Sequence, residues 1–197
     1  MWQRRGRQLG VLVRYADDFV VVCPTRTRAE EARRWAERVL AGLGLQLNPD
    51  KTRIVDLTKG KEGFDFLGFH CRKVESWKWK GRWYLQRWPS VRAMNSIRAK
   101  VRYGTRRGLV GIEMGTVVEY LNPVLRGWGN YFRVGNSARK FSQIDSYVHE
   151  RLAILASTKH GRTGRNWASR YNRDWLNRLG VHALTGTVRY GPAHALR

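Results

Sequence analysis

Two apolar runs rich in β-branched residues, Val11–Tyr15 and Phe19–Cys23, flank the polar pause Ala16-Asp17-Asp18. That pattern predicts a β-hairpin with acids at its tip. Thr27 and Glu30 have the spacing of a capping box. Ala32, Ala36, Val39, Leu40 and Leu43 then recur at helical spacing, and Gly42 and Gly44 end the helix. Beyond the turn Asn48-Pro49-Asp50, the segments Thr52–Leu57 and Phe64–Cys71 read as further strands. Glu75–Pro89 is a Trp-rich strand or loop connector.

From Ser90 the period becomes helical. A first helix is predicted over Ser90–Arg107, with Val91, Met94, Ile97 and Val101 inward. Thr116 and Glu119 offer a second capping box ahead of Val118, Leu121, Leu125, Trp128 and Phe132, with a bend expected at Pro123. A third helix aligns Phe141, Ile144, Val148, Leu152 and Leu155. A fourth, from near Arg165 to Leu179, puts Trp167, Tyr171, Trp175 and Leu179 in register before Gly180. The pattern is therefore α+β: a hairpin, a helix and further strands over 1–73, a connector over 74–89, a helical bundle over 90–180, and a tail over 181–197.

Charge sharpens this division. Lys and Arg number 38 against 15 Asp and Glu, for a net charge of +23. Self-repulsion on that scale calls for a polyanion, and nucleic acid is the commonest one. The first 71 residues carry a net +4 and the rest +19, and the rest also holds seven of the nine Trp. Cations interleaved with rings suit irregular or single-stranded RNA, although each ring has a second reading as helical core. No apolar run approaches the roughly 20 residues of a spanning helix, and no signal-peptide pattern opens at Met1. A membrane partner is therefore not expected. Cys23 and Cys71 are too few for a zinc site or a disulfide framework and read as buried thiols in a reducing, cytoplasmic setting. His149, His160 and His182 are scattered and read as surface or local hydrogen-bonding residues.

Adjacent carboxylates at Asp17 and Asp18, set in the run LVRYADDFVVVC, oppose each other's ionisation. A divalent cation relieves that opposition. Mg²⁺ is held by one or two carboxylates plus waters and substrate phosphates, and paired ions drive phosphoryl transfer. An exposed Asp-Asp turn is the plainer alternative.

Tyr15-Ala16-Asp17-Asp18 between two strands resembles the catalytic hairpin of reverse transcriptases, and RYADDFVVVC resembles that of the group II intron reverse transcriptase/maturase family. Other stretches follow in the family's order. GLGLQLNPDKT, Gly42–Thr52, is similar to the next palm motif, and FDFLGFHC, Phe64–Cys71, to the primer-gripping segment. LNPVLRGWGNYFR, Leu121–Arg133, is similar to the maturase-specific thumb. The resemblance implies a partial palm followed by a helical thumb. It implies Asp17 and Asp18 as catalytic Mg²⁺ ligands, Tyr15 and Lys51 near an incoming deoxynucleotide, and Gly68 and Phe69 at the primer. Group II intron RNA or a template–primer would be bound by Arg92, Arg98, Lys100, Arg102, Arg106 and Arg107 of the first bundle helix. Arg126, Trp128, Asn130, Tyr131 and Arg133 of the second would join them, with Arg139 and Lys140 of the third.

A complete member has fingers and an earlier palm strand bearing another metal-binding Asp. Only eleven residues precede Leu12, and none is acidic. The chain alone is therefore expected to hold Mg²⁺ weakly and not to polymerise DNA. Two alternatives accompany this reading: the complementing half of a split reverse transcriptase, whose partner fragment carries the fingers and upstream palm, or a non-functional truncated remnant. The partner fragment would cover an apolar face expected to lie open at Val11–Val13 and Phe19–Val22.

Overall fold

A computed structural model of the chain describes residues 8–161 and 170–189. The protein is α+β, a strand-containing region followed by a helical bundle. Two compact units divide the described residues, one within Met1–Leu67 and Cys71–Leu85, the other within Gly68–His70 and Gln86–Arg197.

In the first unit, β1 (Val11–Tyr15) and β2 (Asp18–Val22) form an antiparallel hairpin with Val11 opposite Val22 and Tyr15 opposite Asp18. Asp18 thus opens the second strand, and the connection is Ala16-Asp17 alone. Such a tight connection requires positive φ, which Ala16 adopts at +52°. A Cβ in this region costs about 1–2 kcal/mol. Ala16→Gly is expected to raise the unfolding free energy by about 0.5–1 kcal/mol once the extra chain entropy of Gly is deducted. A higher thermal midpoint would show it; an unchanged or lower one would mean the turn carries no strain.

Helix α1 (Arg26–Ala41) packs against β2. Its cap is Thr25, whose hydroxyl accepts from the Arg28 N–H at 3.3 Å; Thr27, expected as the cap, lies inside the helix. Ala32 and Ala36 are buried, whereas Leu43 lies past the helix and is exposed. Gly44, with φ +69°, closes the C-terminal turn, and Leu45 N–H donates back to the Leu40 carbonyl at 2.9 Å. Thr52–Leu57, read as a strand, is irregular. Its polar groups are satisfied locally instead, Asp56 N–H by Glu62 and Thr58 N–H by Asp56.

Phe64–Cys71 is not one strand but a bend between β3 (Gly63–Phe66) and β4 (Phe69–Glu75). Leu67 and Gly68 both have positive φ, +49° and +75°, the backbone of a two-residue hairpin turn. With β5 (Trp83–Pro89) these strands form a sheet in the order β3-β4-β5.

The bundle comprises α2 (Val91–Gly104), α3 (Met114–Phe132) and α4 (Ala138–Lys159), with α2 packed on both others. Ser90 caps α2, its hydroxyl accepting from the Ala93 N–H. Met94, Ile97 and Val101 are buried as their spacing predicts; Val91, in the first turn, is 74% exposed. The helix stops at Gly104, so Arg106 and Arg107 lie beyond it. Thr105 is the stop, its hydroxyl turned back onto the Val101 carbonyl. Helix α3 begins one turn before the expected Thr116–Glu119 box, with Glu113 as an N-cap that makes no side-chain hydrogen bond. Pro123 lies within it, and its ring leaves the Glu119 carbonyl without the usual donor. All five residues of the third stripe, Phe141 to Leu155, are buried in α4. Of the fourth helix, residues 162–169 lie outside the described residues. Asn172 caps a separate short α5 (Arg173–Arg178), followed by Gly180 at φ +70°.

Among the described residues no helix is long and apolar enough to cross a membrane. Cys23 and Cys71 form no disulfide and are half-buried rather than buried.

Candidate nucleic-acid interface and acidic hairpin

In the first unit, Asp17 and Asp18 are exposed at the end of the hairpin, as is Tyr15. Arg14 fixes the turn, its Nε donating to the Ala16 carbonyl at 2.8 Å. Among the described residues no third His, Cys, Asp or Glu joins this pair to make a metal-binding group. The donor set is thus two carboxylates, a partial fit to Mg²⁺, whose remaining ligands would be water or substrate oxygens. The apolar face beside them is open: Val11 is 67% and Val22 51% exposed. Leu12, Phe19, Val20 and Val21 are half-buried. Lys51 is exposed at the end of an Asx turn in which Asn48 Oδ1 accepts from the Asp50 and Lys51 N–H groups at 3.0 and 3.2 Å.

In the second unit, two of the stretches singled out in the sequence meet. Phe69 is buried against Tyr131 and Phe132, with ring centroids 5.6 and 4.9 Å apart. Trp128 extends the cluster to Phe132 at 4.8 Å and Phe141 at 5.5 Å. The exposed Gly68 accepts from the Ser90 N–H through its carbonyl. A Cβ on Gly129 would meet the Leu184 side chain, whereas one on Gly127 would meet open space. Trp128 is half-buried, and its indole N–H finds no acceptor among the described residues.

Arg92, Lys100, Arg102, Arg106, Arg107, Arg126 and Arg139 are exposed, and Arg98, Arg133 and Lys140 are half-buried. Asn130 is exposed, and Tyr131 is 52% so. Arg102 donates to the Tyr147 hydroxyl at 3.4 Å, and Arg106 lies 4.1 Å over the Tyr103 ring. Ion pairs among the described residues are Arg26–Glu30, Arg33–Glu37 and Lys61–Asp56, all in the first unit. Among the described residues, the bundle's cations form no such pair.

Several polar anchors escaped the sequence reading. Asn122, within α3, donates to the Gly180 carbonyl and accepts from the His182 N–H. Asp145, within α4, accepts from Leu184 N–H, Thr185 N–H and the Thr185 hydroxyl at 2.9, 2.8 and 2.6 Å. Arg151 donates to both the hydroxyl and the carbonyl of Thr105. The only sequence signal was a polar residue beside a buried stripe, as Asp145 is beside Ile144.

His149, within α4, is hydrogen-bonded to the Tyr171 carbonyl. His182 is half-buried; desolvation foremost, then the Arg126 charge, hold its pKa below the ordinary imidazole value, while Asp145 opposes them. With the folded-state pKa depressed, the unfolded chain binds the extra proton. The stability gained from neutral His182 is complete above the ordinary value near pH 6.5 and is lost as pH falls through the folded value. His182→Gln should therefore melt with a weaker acid dependence than the parent below about pH 6.5. Parallel melting curves would exclude this coupling.

A strand-containing region followed by a helical bundle is consistent with a mixed reverse-transcriptase-like fold. Residues 5–71 match the family model described as reverse transcriptase (RNA-dependent DNA polymerase). Residues 94–175 match that described as group II intron, maturase-specific domain. The two matches, in this order on one chain, support membership of the group II intron reverse transcriptase/maturase family. Comparison with curated proteins gave no match.

Proposed function

We propose that the chain binds group II intron RNA, assisting splicing, and carries part of an RNA-directed DNA polymerase site. The observation supporting RNA binding is the set of exposed cations on α2, α3 and α4 that form no ion pair among the described residues. Phosphates would replace the missing counter-charges, with Asn130 and Tyr131 available beside them for bases or riboses. Binding should be strongly salt-dependent. About six neutralised phosphates give a log–log slope near −5. An intron-RNA titration from low to high salt with a slope shallower than about −2 would reject this interface.

A second, catalytic reading rests on the acidic hairpin. Asp17 and Asp18 would supply two carboxylates to Mg²⁺, which supports attack on a nucleotide phosphorus and stabilises the leaving oxygen. Tyr15 and Lys51 would lie near the deoxynucleotide, and Gly68 and Phe69 near the primer end. Two carboxylates are fewer than a metal pair needs, so further acids must come from another segment. Mixing the chain with a fingers–palm fragment, Mg²⁺, primer and template is expected to give DNA synthesis that Asp17→Ala abolishes. Synthesis persisting in that variant would reject the site.

A further inference from the structure

Between β4 and β5 the chain reads Trp77-Lys78-Trp79-Lys80-Gly81-Arg82, outside both matched segments. Trp77 is 93% exposed. An indole so placed leaves a large apolar area in water, yet the loop around it is held in place. Ser76 N–H donates to the Arg82 carbonyl at 2.8 Å, and Trp79 N–H to the Ser76 hydroxyl at 3.2 Å. Gly81, at φ +83°, donates its N–H to Glu75 Oε1 at 2.7 Å. The Glu75 carboxylate is thereby committed to the backbone. Lys78, Lys80 and Arg82 form no ion pair among the described residues. Lys78 and Arg82 lie 5.0 and 5.4 Å from the Trp79 ring centroid, so cations surround that ring while Trp77 presents an open face.

We infer that this loop is a binding site for single-stranded nucleic acid, in which an unpaired base stacks on Trp77 and the adjoining phosphates meet Lys78 and Lys80. The inference shares its ligand class with the proposed RNA-binding function but rests on a different element. A flat, open ring on a hydrogen-bonded turn, beside cations that form no ion pair among the described residues, provides both halves of such recognition, stacking and charge. A bilayer surface fits less well. Insertion needs an apolar face, and every residue from Lys78 to Arg82 other than Trp79 is charged or glycine.

The test uses the full chain and two labelled RNAs, an unstructured strand of about ten nucleotides and a blunt duplex of about 16 base pairs. Trp77→Ala should weaken binding to the single strand about tenfold, and Trp77→Phe, which keeps a ring, should restore most of it. Duplex affinity should be unchanged in both. The assignment is overturned if the parent does not bind the strand, if Trp77→Ala binds it equally well, or if the duplex is lost to the same extent. It is also overturned if the substitution abolishes co-sedimentation with phosphatidylserine vesicles while leaving strand binding intact. If the duplex never binds but the strand depends on Trp77, the loop site stands and the bundle interface falls.

Discussion

Reversing Arg92, Lys100, Arg126 and Arg139 together to Glu is expected to weaken intron-RNA binding about 10³–10⁴-fold near 0.1 M salt. Each lost phosphate contact forfeits the release of nearly one counterion, close to a factor of ten at that concentration. All four side chains are exposed, on α2, α3 and α4, so the fold should tolerate the change. The same variant should flatten the salt dependence by about three to four units of log–log slope. An affinity loss below about tenfold, with the helices intact by circular dichroism, would place the RNA on some other surface.

The second large effect concerns stability. Phe141 is fully buried, and its ring abuts Trp128, which in turn abuts Phe132. Phe141→Ala should lower the unfolding free energy by about 3–5 kcal/mol, the transfer term plus the cavity left among rings that cannot close over it. Denaturant titration measures this directly. A loss below about 1 kcal/mol would show that the cluster collapses freely and is not a rigid support for the residues above it.

The bundle core was the most legible part of the fold. Every residue of the α4 stripe from Phe141 to Leu155 is buried, because helical spacing and apolar character coincide there with no competing signal. Helix starts were less legible. Thr25 and Thr27 both offer a hydroxyl, but only Thr25 precedes the first turn, and starting there sets the Arg26–Glu30 and Arg33–Glu37 pairs on the outer face. FDFLGFHC read as one strand because its apolar character outweighed the turn signal in Leu67-Gly68. At the candidate interface, the cations of α2 were visible as its non-apolar positions. Trp128 shows why rings were not: the same residue type can stack on a base or fill a core, and only packing decides. Asn122 and Asp145 were invisible because their partners, all but one of them backbone groups, lie 39–60 residues away.

The anchoring of residues 180–185 bears on how this bundle can be isolated. The maturase-specific match stops at residue 175, yet Leu184 is completely buried where Gly129 makes room for it. A shortened polypeptide ended at the last matched position would bare that groove and leave the Asp145 carboxylate without its three donors. Such a product would be prone to clump, and its failure to retain RNA would reflect a missing plug rather than a missing contact. Cutting after Arg189, whose N–H is held by the Arg133 carbonyl, keeps the seal.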